Sequence, residues 1–323
     1  MQKVEPVHTF DQIKLLADPR RMEILQLLMA SPATLTHLAR SMGQSPAWVR
    51  HHLQALTSAG LVELAEVRTT GTVTEKFYRA RASAFLLQQL VLPKSKEPVV
   101  IFSGSHDLAL EASASSLSDH IQLLNLPVGS LDGLMNLRQG LCQISGVHLL
   151  DETGEYNVPF VRRFFPDRPM DIFTLAYRTQ GLMIGRGNPR GIKGIVDLAR
   201  SDIRIVNRNA GSGTRLWLDA ELKKLGIPVG QVQGYDHVVM THSEAAALIE
   251  LQQADAALGL QAAARQHGLD FIPLFEERYD VVLPREQEKT LAPLLDYLQT
   301  AKFRRAAHSL TGYSTAHSGE HVL

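Results

Sequence analysis

The chain has 323 residues, room for two or three domains at roughly 150 residues each and for cores that fold without staples. Apolar residues make up 45% and charged residues 20%, which excludes a mainly disordered chain, and the single cysteine, Cys142, excludes an intramolecular disulfide or a cysteine-built metal site. Formal net charge is zero, yet residues 1–95 carry eleven Lys and Arg against seven Asp and Glu, so the first part is net +4 and the rest −4. A small basic module joined to a larger acidic one points toward nucleic acid as a partner of the first. The opening residues lack the apolar run of a secretory signal. The most apolar short stretch, Ala84 to Pro93, is broken by Gln88 and Gln89 and is too short to span a bilayer. The expectation is a soluble, cytoplasmic protein without a membrane partner.

From the N-terminus the pattern is helical with clear punctuation. Phe10, Ile13, Leu16 and Ala17 fall at helical spacing, and Asp18-Pro19 reads as a cap followed by proline at the first helical position. Met22, Leu25, Leu28 and Met29 form the next apolar face. Thr34 caps a short helix ending at Gly43, with Leu35, Leu38 and Ala39 inward. Ser45-Pro46 repeats the cap, and Val49, Leu53 and Leu56 line the helix that follows. After Gly60 the period changes to two. Leu61 to Val67 reads as a strand, Thr69 to Thr72 as a turn, and Val73 to Arg79 as the return strand. Helices followed by a β-hairpin are the winged helix-turn-helix plan.

On the helix after Ser45, the face opposite the apolar stripe carries Ala47, Arg50, His51 and Gln54. Small, cationic and amide side chains near a helix start suit the major groove. Arg68, Thr69, Thr70 and Lys76 on the hairpin are placed for phosphate or minor-groove contact. Ser45, Ala47, Arg50, His51, Gln54, Arg68, Thr69, Thr70 and Lys76 are therefore the candidate DNA-binding residues. His52 lies beside the apolar stripe and reads as a hydrogen-bonded flank residue.

Ala17 to Leu28, Ser45 to Leu56 and Ala59-Gly60-Leu61-Val62 together resemble ArsR-type winged-helix repressors over roughly residues 8–90. The resemblance implies binding of a double-stranded DNA operator as a homodimer. That family's thiolate metal site does not carry over, because the matching helix reads Leu35-Thr36-His37-Leu38-Ala39-Arg40. No metal site is expected.

The prolines of Leu92-Pro93-Lys94-Ser95-Lys96-Glu97-Pro98 bracket polar residues between apolar segments, which is linker chemistry. The expected organisation is a DNA-binding domain at 1–92, a linker at 93–98 and a second domain at 99–323. In that domain Val99 to Phe102 reads as a buried strand, followed by helical stretches, then Phe173 to Ile184 and Ile203 to Val206 as further strands. Alternating elements indicate an α/β domain whose ligands sit beyond strand ends.

Ile205 to Leu216 runs from strand through Asn207-Arg208-Asn209-Ala210-Gly211-Ser212-Gly213-Thr214 into a helix with Leu218, Leu222 and Leu225 inward and Gly226 at its end. Backbone N–H groups, hydroxyls and a helix start at one point make an anion site, or else an ordinary tight turn. Ser103-Gly104-Ser105-His106-Asp107 and Gly129-Ser130-Leu131-Asp132-Gly133 share this chemistry, with plain helix capping by Ser105 and Ser130 as the alternative.

These three turns, with Gly146 to Asp151, Arg178-Thr179-Gln180-Gly181-Leu182, Gly187-Asn188-Pro189, Arg215, Gly234-Tyr235, Thr241-His242 and Glu277-Arg278-Tyr279, resemble the periplasmic-binding-protein-like domain found fused to helix-turn-helix modules and to molybdopterin-biosynthesis proteins. The Asn-Arg…Gly-Ser-Gly-Thr portion is also similar to tungstate- and molybdate-binding proteins. The resemblance covers about residues 97–315 and implies a type II two-lobed clamp: lobe one about 99–177 and 280–323, lobe two about 178–279. Phe173–Ile184 would cross between lobes and Glu277 to Leu283 would cross back. Ligand contacts would come from Ser105, Ser130, Ser212, Gly213 and Thr214, with Arg178, Arg215, Thr241, His242 and Tyr279 nearby. For Arg178 and Arg215, structural ion pairing is the alternative, and His148 reads as a core or supporting histidine.

The fold expected is thus α/β, a winged helix-turn-helix followed by a two-lobed binding domain. The function expected is a one-component transcriptional regulator whose effector is molybdate or tungstate, with a molybdopterin-related or other small anionic metabolite as the alternative and no further cofactor. No Gly-x-Ser-x-Gly elbow, His-Glu-x-x-His or dinucleotide fingerprint is present, so an enzyme acting on a small anion, with Ser212, His242 and Asp107 as its candidate groups, is the disfavoured class.

Overall fold

The computed structural model describes residues 4–7, 9–87 and 90–323, so Gln88 and Gln89 lie outside the described residues. The chain forms two compact units, Met1–Val91 and Leu92–Leu323.

In the first unit, caps set the helices. Thr9, Asp18, Thr34 and Ser45 each accept a backbone N–H with their side chain, starting helices Phe10–Leu16, Pro19–Ala30, Leu35–Ser41 and Pro46–Ser58. Ile24, Leu25, Leu28, Leu38, Val49, Leu53 and Leu56 pack into one core. Strands Val62–Thr70 and Val73–Ala80 form the hairpin, and Ala33–Thr34 adds a third strand beside Val73–Ala80. One element was not expected: Val4–Val7 pairs in parallel with Ala84–Leu87, joining the two ends of the unit.

The second unit is built on a seven-stranded mixed sheet. Its path runs Ala256–Leu260, Met170–Ile184, Asp270–Pro284, Ile144–Val147, Val99–Gly104 and Gln122–Pro127, with Tyr313–Ser314 added against Met170–Ile184. The strands Val99–Gly104, Gln122–Pro127 and Ile144–Val147 are parallel neighbours, with the apolar run Val99 to Phe102 in the middle strand. Met170–Ile184 and Asp270–Pro284 are fifteen residues each and pair antiparallel along their length. They cross between two lobes and are longer than the segments Phe173–Ile184 and Glu277 to Leu283 read from the sequence. Their register is irregular between Pro273 and Phe275 and again between Tyr279 and Asp280.

Two readings of the second unit are corrected. Ile203, Ile205 and Val206 are buried, but the segment is not a continuous strand. It makes isolated bridges from Arg204 to Gln233 and from Ile205 to Ala256, before the short strand Asn207–Arg208 pairs with Val238–Val239. Leu225 is 41% exposed, because the helix Gly213–Lys224 ends one residue before it.

Candidate functional site

Each DNA-binding candidate lies on the surface of the first unit. Ser45, Ala47, Arg50, His51 and Gln54 are exposed on helix Pro46–Ser58, and Arg68, Thr69, Thr70 and Lys76 are exposed on the hairpin. Ser45 is also the cap, accepting from Trp48 N at 3.2 Å. Arg50 and Gln54 have no side-chain partner among the described residues. Arg68 forms a two-pronged pair with Glu66 at 2.8 and 2.9 Å and lies over the Phe77 ring, which holds it on the strand. Thr69 and Thr74 hydroxyls are 3.4 Å apart across the hairpin. His52 is buried, with its ring 4.3 Å from Trp48, and its Nδ1 has no hydrogen-bond partner.

In the second unit a cluster of buried polar groups gathers at strand ends and helix starts. The turn after Val99–Gly104 brings in Ser105, and helix Ser130–Arg138 brings in Ser130. Neither serine caps a helix. Asp107 caps Leu108–Leu117, and Gly129 occupies the cap position before Ser130. Gly129 has φ +100°, and a Cβ there would meet the Asn209 side chain at 2.6 Å, so glycine is required where the lobes touch. Leu131 N donates to Gly211 O at 3.0 Å across the same junction. The freed hydroxyls of Ser105 and Ser130 lie 2.9 Å apart, and Ser130 Oγ accepts from His148 N at 3.2 Å.

His148 continues the chain of contacts. Its Nε2 is 3.0 Å from Ser105 Oγ and its Nδ1 is 2.6 Å from Glu277 Oε2. Burial raises the Glu277 carboxyl, but Arg178 and His148 outweigh it and carry the group down to about 2. Glu277 is therefore ionised and only accepts, which puts the His148 proton on Nδ1 and leaves Nε2 to accept from Ser105. Burial depresses His148 itself despite Glu277.

Arg178 is fully buried and fully matched in charge. Its Nη1 donates to Asp107 at 3.0 Å, its Nη2 donates to Glu277, and its guanidinium lies 4.0 Å over the Tyr279 ring. Tyr279 OH donates to Ser105 O, and Tyr313 OH donates to Asp107 at 2.8 Å. Arg208 differs. It is 1% exposed, and its one bond is from Nη2 to the Met240 carbonyl at 2.7 Å. Among the described residues its Nε and Nη1 have no acceptor and no carboxylate forms an ion pair with it, although Glu244 and Glu277 act on it from further off. Burial, followed by the charge of Arg178, brings it down to about 10, so it remains a cation at neutral pH. His242 is the first residue of helix His242–Glu250 and is fully buried with neither ring nitrogen partnered. Burial, Arg208 and Arg178 push it well below the usual histidine range. Arg178 Nε is also without an acceptor.

The structure thus brings together Ser105, Ser130, Arg178, His242 and Tyr279. Gly213 and Thr214 start a helix beside them. A Cβ at Gly213 would run into the His148 carbonyl and ring, and Thr214 Oγ1 accepts from Gln180 Nε2 at 3.0 Å. Ser212 is a cap, accepting from Arg215 N at 3.2 Å and donating to Asn209 O. Thr241 is likewise a cap, in a capping box with Glu244. Arg215 turns to its own partners, Asp219 at 3.0 Å and the face of Tyr235 at 3.7 Å. Of the groups named for catalysis, Asp107 is committed to Arg178 and Tyr313, and Ser212 to its cap. Arg208 and Glu277 are central groups that sequence reasoning named only as parts of motifs, while His148, read as a core or supporting histidine, is buried and bonded to Ser105 and Glu277. Arg208 stands inside the Asn207-Arg208…Thr214 motif, so the signal was present.

Buried donors without acceptors cost several times what exposed ones do. Two arginine side chains and a histidine thus leave buried nitrogens without partners beside the starts of helices.

The chain belongs to the PBP superfamily: the family described as PBP superfamily domain matches residues 112–299, more than half its length. The family described as bacterial regulatory protein, arsR family, matches residues 18–63. Together these make a DNA-binding regulator with a ligand-binding domain. Over 229 residues the chain is 38% identical to the uncharacterized protein YvgK of Bacillus subtilis (strain 168), covering 70% of this chain and 74% of that one. Over 108 residues it is 30% identical to an uncharacterized protein in the ferredoxin 2Fe-2S gene 5′ region of Clostridium pasteurianum, covering 32% and 96%. Solved structures with similar folds include an ABC-type phosphate transport receptor from Vibrio cholerae (15% identity, TM-score 0.44, 66% of this chain and 98% of that one). Peb3 from Campylobacter jejuni is another (18%, 0.45, 67% and 99%). At these scores neither bears on ligand or activity. Among the described residues no helix is long and apolar enough to cross a membrane.

Proposed function

We propose that the chain is a one-component transcriptional regulator that reads operator DNA with helix Pro46–Ser58 and senses a small oxyanion in the buried cluster of its second unit. The observation that carries this reading is Arg208, a buried cation with two unpartnered donor atoms and no ion pair among the described residues. The preferred effector is molybdate or tungstate, supported by the likeness of Asn207-Arg208…Gly211-Ser212-Gly213-Thr214 to proteins that bind those ions. The anionic group of a molybdopterin-related or other metabolite is the alternative. Ligand closes the clamp because the closed state makes contacts the open one lacks. Closure in a homodimer changes the spacing of two reading helices, and operator DNA changes ligand affinity by the same factor. Calorimetric titration with molybdate, tungstate, sulfate and phosphate tests the reading. Tight binding of the first two, lost in Arg208→Met, is the expected result. Heat from none of the four ends the free-oxyanion proposal.

A second reading rests on the contacts Ser105–His148–Glu277, at 3.0 and 2.6 Å, which match the order of a serine nucleophile and its base. Binding is favoured over catalysis because Ser105 is wholly buried and Glu277 is shared with Arg178. A fluorophosphonate probe decides: covalent labelling of Ser105, abolished in His148→Gln, would establish the enzyme reading.

A further inference from the structure

A cavity of about 640 Å³ lies at one end of the sheet of the second unit. Strand register builds it. Ile184 pairs with both Ala256 and Asp270, and Ile205 bridges to Ala256, so Arg204, Asp255, Gly185 and Leu269 come side by side. Ile184 stands six positions along its strand from Arg178, roughly 20 Å. No residue of the buried cluster lines this space. Three arginines do, Arg186, Arg190 and Arg204, against two carboxylates, Glu250 and Asp255. Both carboxylates are already committed. Asp255 accepts from Arg190 Nε at 3.0 Å with one oxygen and from Arg204 N at 2.8 Å with the other, and Glu250 lies 2.7 Å from His267 Nδ1. The guanidinium groups of Arg186 and Arg204 are exposed and have no partner among the described residues.

The loop that carries Arg186 and Arg190 is fixed without any ligand. Asn188 exchanges two bonds with Ile192 at 2.8 and 2.9 Å, Gly187 N donates to Asp270 at 2.9 Å, and Arg200 Nη1 donates to Arg190 O at 3.0 Å. A wall held in this way loses little freedom on binding. Two unpaired guanidinium forks match the charge and the oxygen geometry of one phosphate dianion. The volume is that of a site for a whole organic molecule, and Ile249, Ala254 and Leu269 give it apolar wall. We infer that this cavity is a second binding site, for an organic phosphate of about nucleotide size. The phosphate meets Arg186 and Arg204, and the less polar body lies against the three apolar side chains. The site is separate from the effector cluster around Arg208 and does not depend on the reading of that cluster.

The full chain is titrated by calorimetry with AMP, ATP and glycerol 3-phosphate, and with adenosine as the uncharged control. The same series is run on Arg208→Met and on the double variant Arg186→Gln with Arg204→Gln. Both positions of the double variant are exposed, so its melting curve should match that of the unmodified chain. The expected result is that at least one of the three phosphates binds the unmodified chain and Arg208→Met alike, and that the double variant binds it about tenfold or more weakly. Adenosine should bind far more weakly than AMP. Unchanged affinity in the double variant overturns the site. So does loss of binding in Arg208→Met with retention in the double variant, which would place the phosphates in the buried cluster. Adenosine binding as tightly as AMP overturns the phosphate anchor, and binding by none of the three phosphates overturns the proposal outright. Molybdate titration of the double variant keeps the two sites apart: failure of molybdate to bind, with the phosphates behaving as expected, counts against the effector cluster alone.

Discussion

Helix Pro46–Ser58 of the first unit and the buried cluster of the second both present polar side chains without partners among the described residues, and they mean different things. Arg50 and Gln54 are exposed, so water satisfies them at no cost, and their freedom is compatible with an idle surface as well as with a DNA-binding one. Arg208 and His242 are excluded from water, so every unmet nitrogen lowers stability. A missing partner is informative in proportion to burial. For the first unit the argument must come from pattern and family; for the second it comes from energetics.

Several substitutions break or sharpen that contrast. The largest effect is expected at Arg178. Replacing it by Met leaves Asp107 and Glu277 buried without a cation, and urea denaturation of the full chain should show the second unit weakened by about 3–5 kcal/mol. Arg208→Met should do the reverse, with unchanged or improved stability and loss of anion binding, because it removes a buried charge that forms no ion pair among the described residues and feels Glu244 and Glu277 only at a distance. Equal destabilisation by the two would show that Arg208 has an internal partner. On the exposed side, Arg50→Ala with Gln54→Ala should leave the melting temperature in place. Affinity for a duplex selected from random sequence should fall by about tenfold or more, with a shallower salt dependence.

The histidines give a pH test of intermediate size. The folded-state values of His242 and His148 are depressed by burial, whereas in the unfolded chain each imidazole takes up a proton near pH 6.5. Their contribution is therefore fully present above about pH 6.5 and is lost as pH falls through it. Melting curves between pH 8 and pH 5 should show the second unit losing stability on the acid side, and His242→Phe should flatten the slope. A steeper slope in His242→Phe would contradict the assignment. The smallest effect is at the cap: Ser45→Ala should cost about 1 kcal/mol in the first unit, read from its melting transition.

Much of the first unit was legible because caps and period changes are local. Asp18, Thr34 and Ser45 each cap the helix expected of them, since a side chain two or three residues from its partner needs no tertiary information. The pairing of Val4–Val7 with Ala84–Leu87 was not legible, because it joins segments about eighty residues apart. In the second unit the crossing strands and hydroxyl-rich turns could be read, but not which serine caps and which is free. Ser212 caps while Ser105 and Ser130 do not, and only the positions of Asp107 and Gly129 decide this. Arg215 and Arg208 were equivalent as letters. Asp219, one helical turn beyond Arg215, is the local signal that could have separated them.

The two crossing strands carry a genetic consequence. Arg178 faces Glu277 in a regular stretch bounded on either side by a register irregularity. Side chains alternate along a strand, so a one-codon insertion or deletion inside Ala176 to Gln180 or Phe275 to Tyr279 turns that strand's inward residues out and its outward residues in. Tyr177 or Arg278 would then occupy the place of a buried ion-pair member. Scanning in-frame indels through both segments should therefore find a sharply intolerant window about five residues wide. Beyond the irregularities, where an extra residue can be absorbed as a bulge, the chain should accept length changes far more readily.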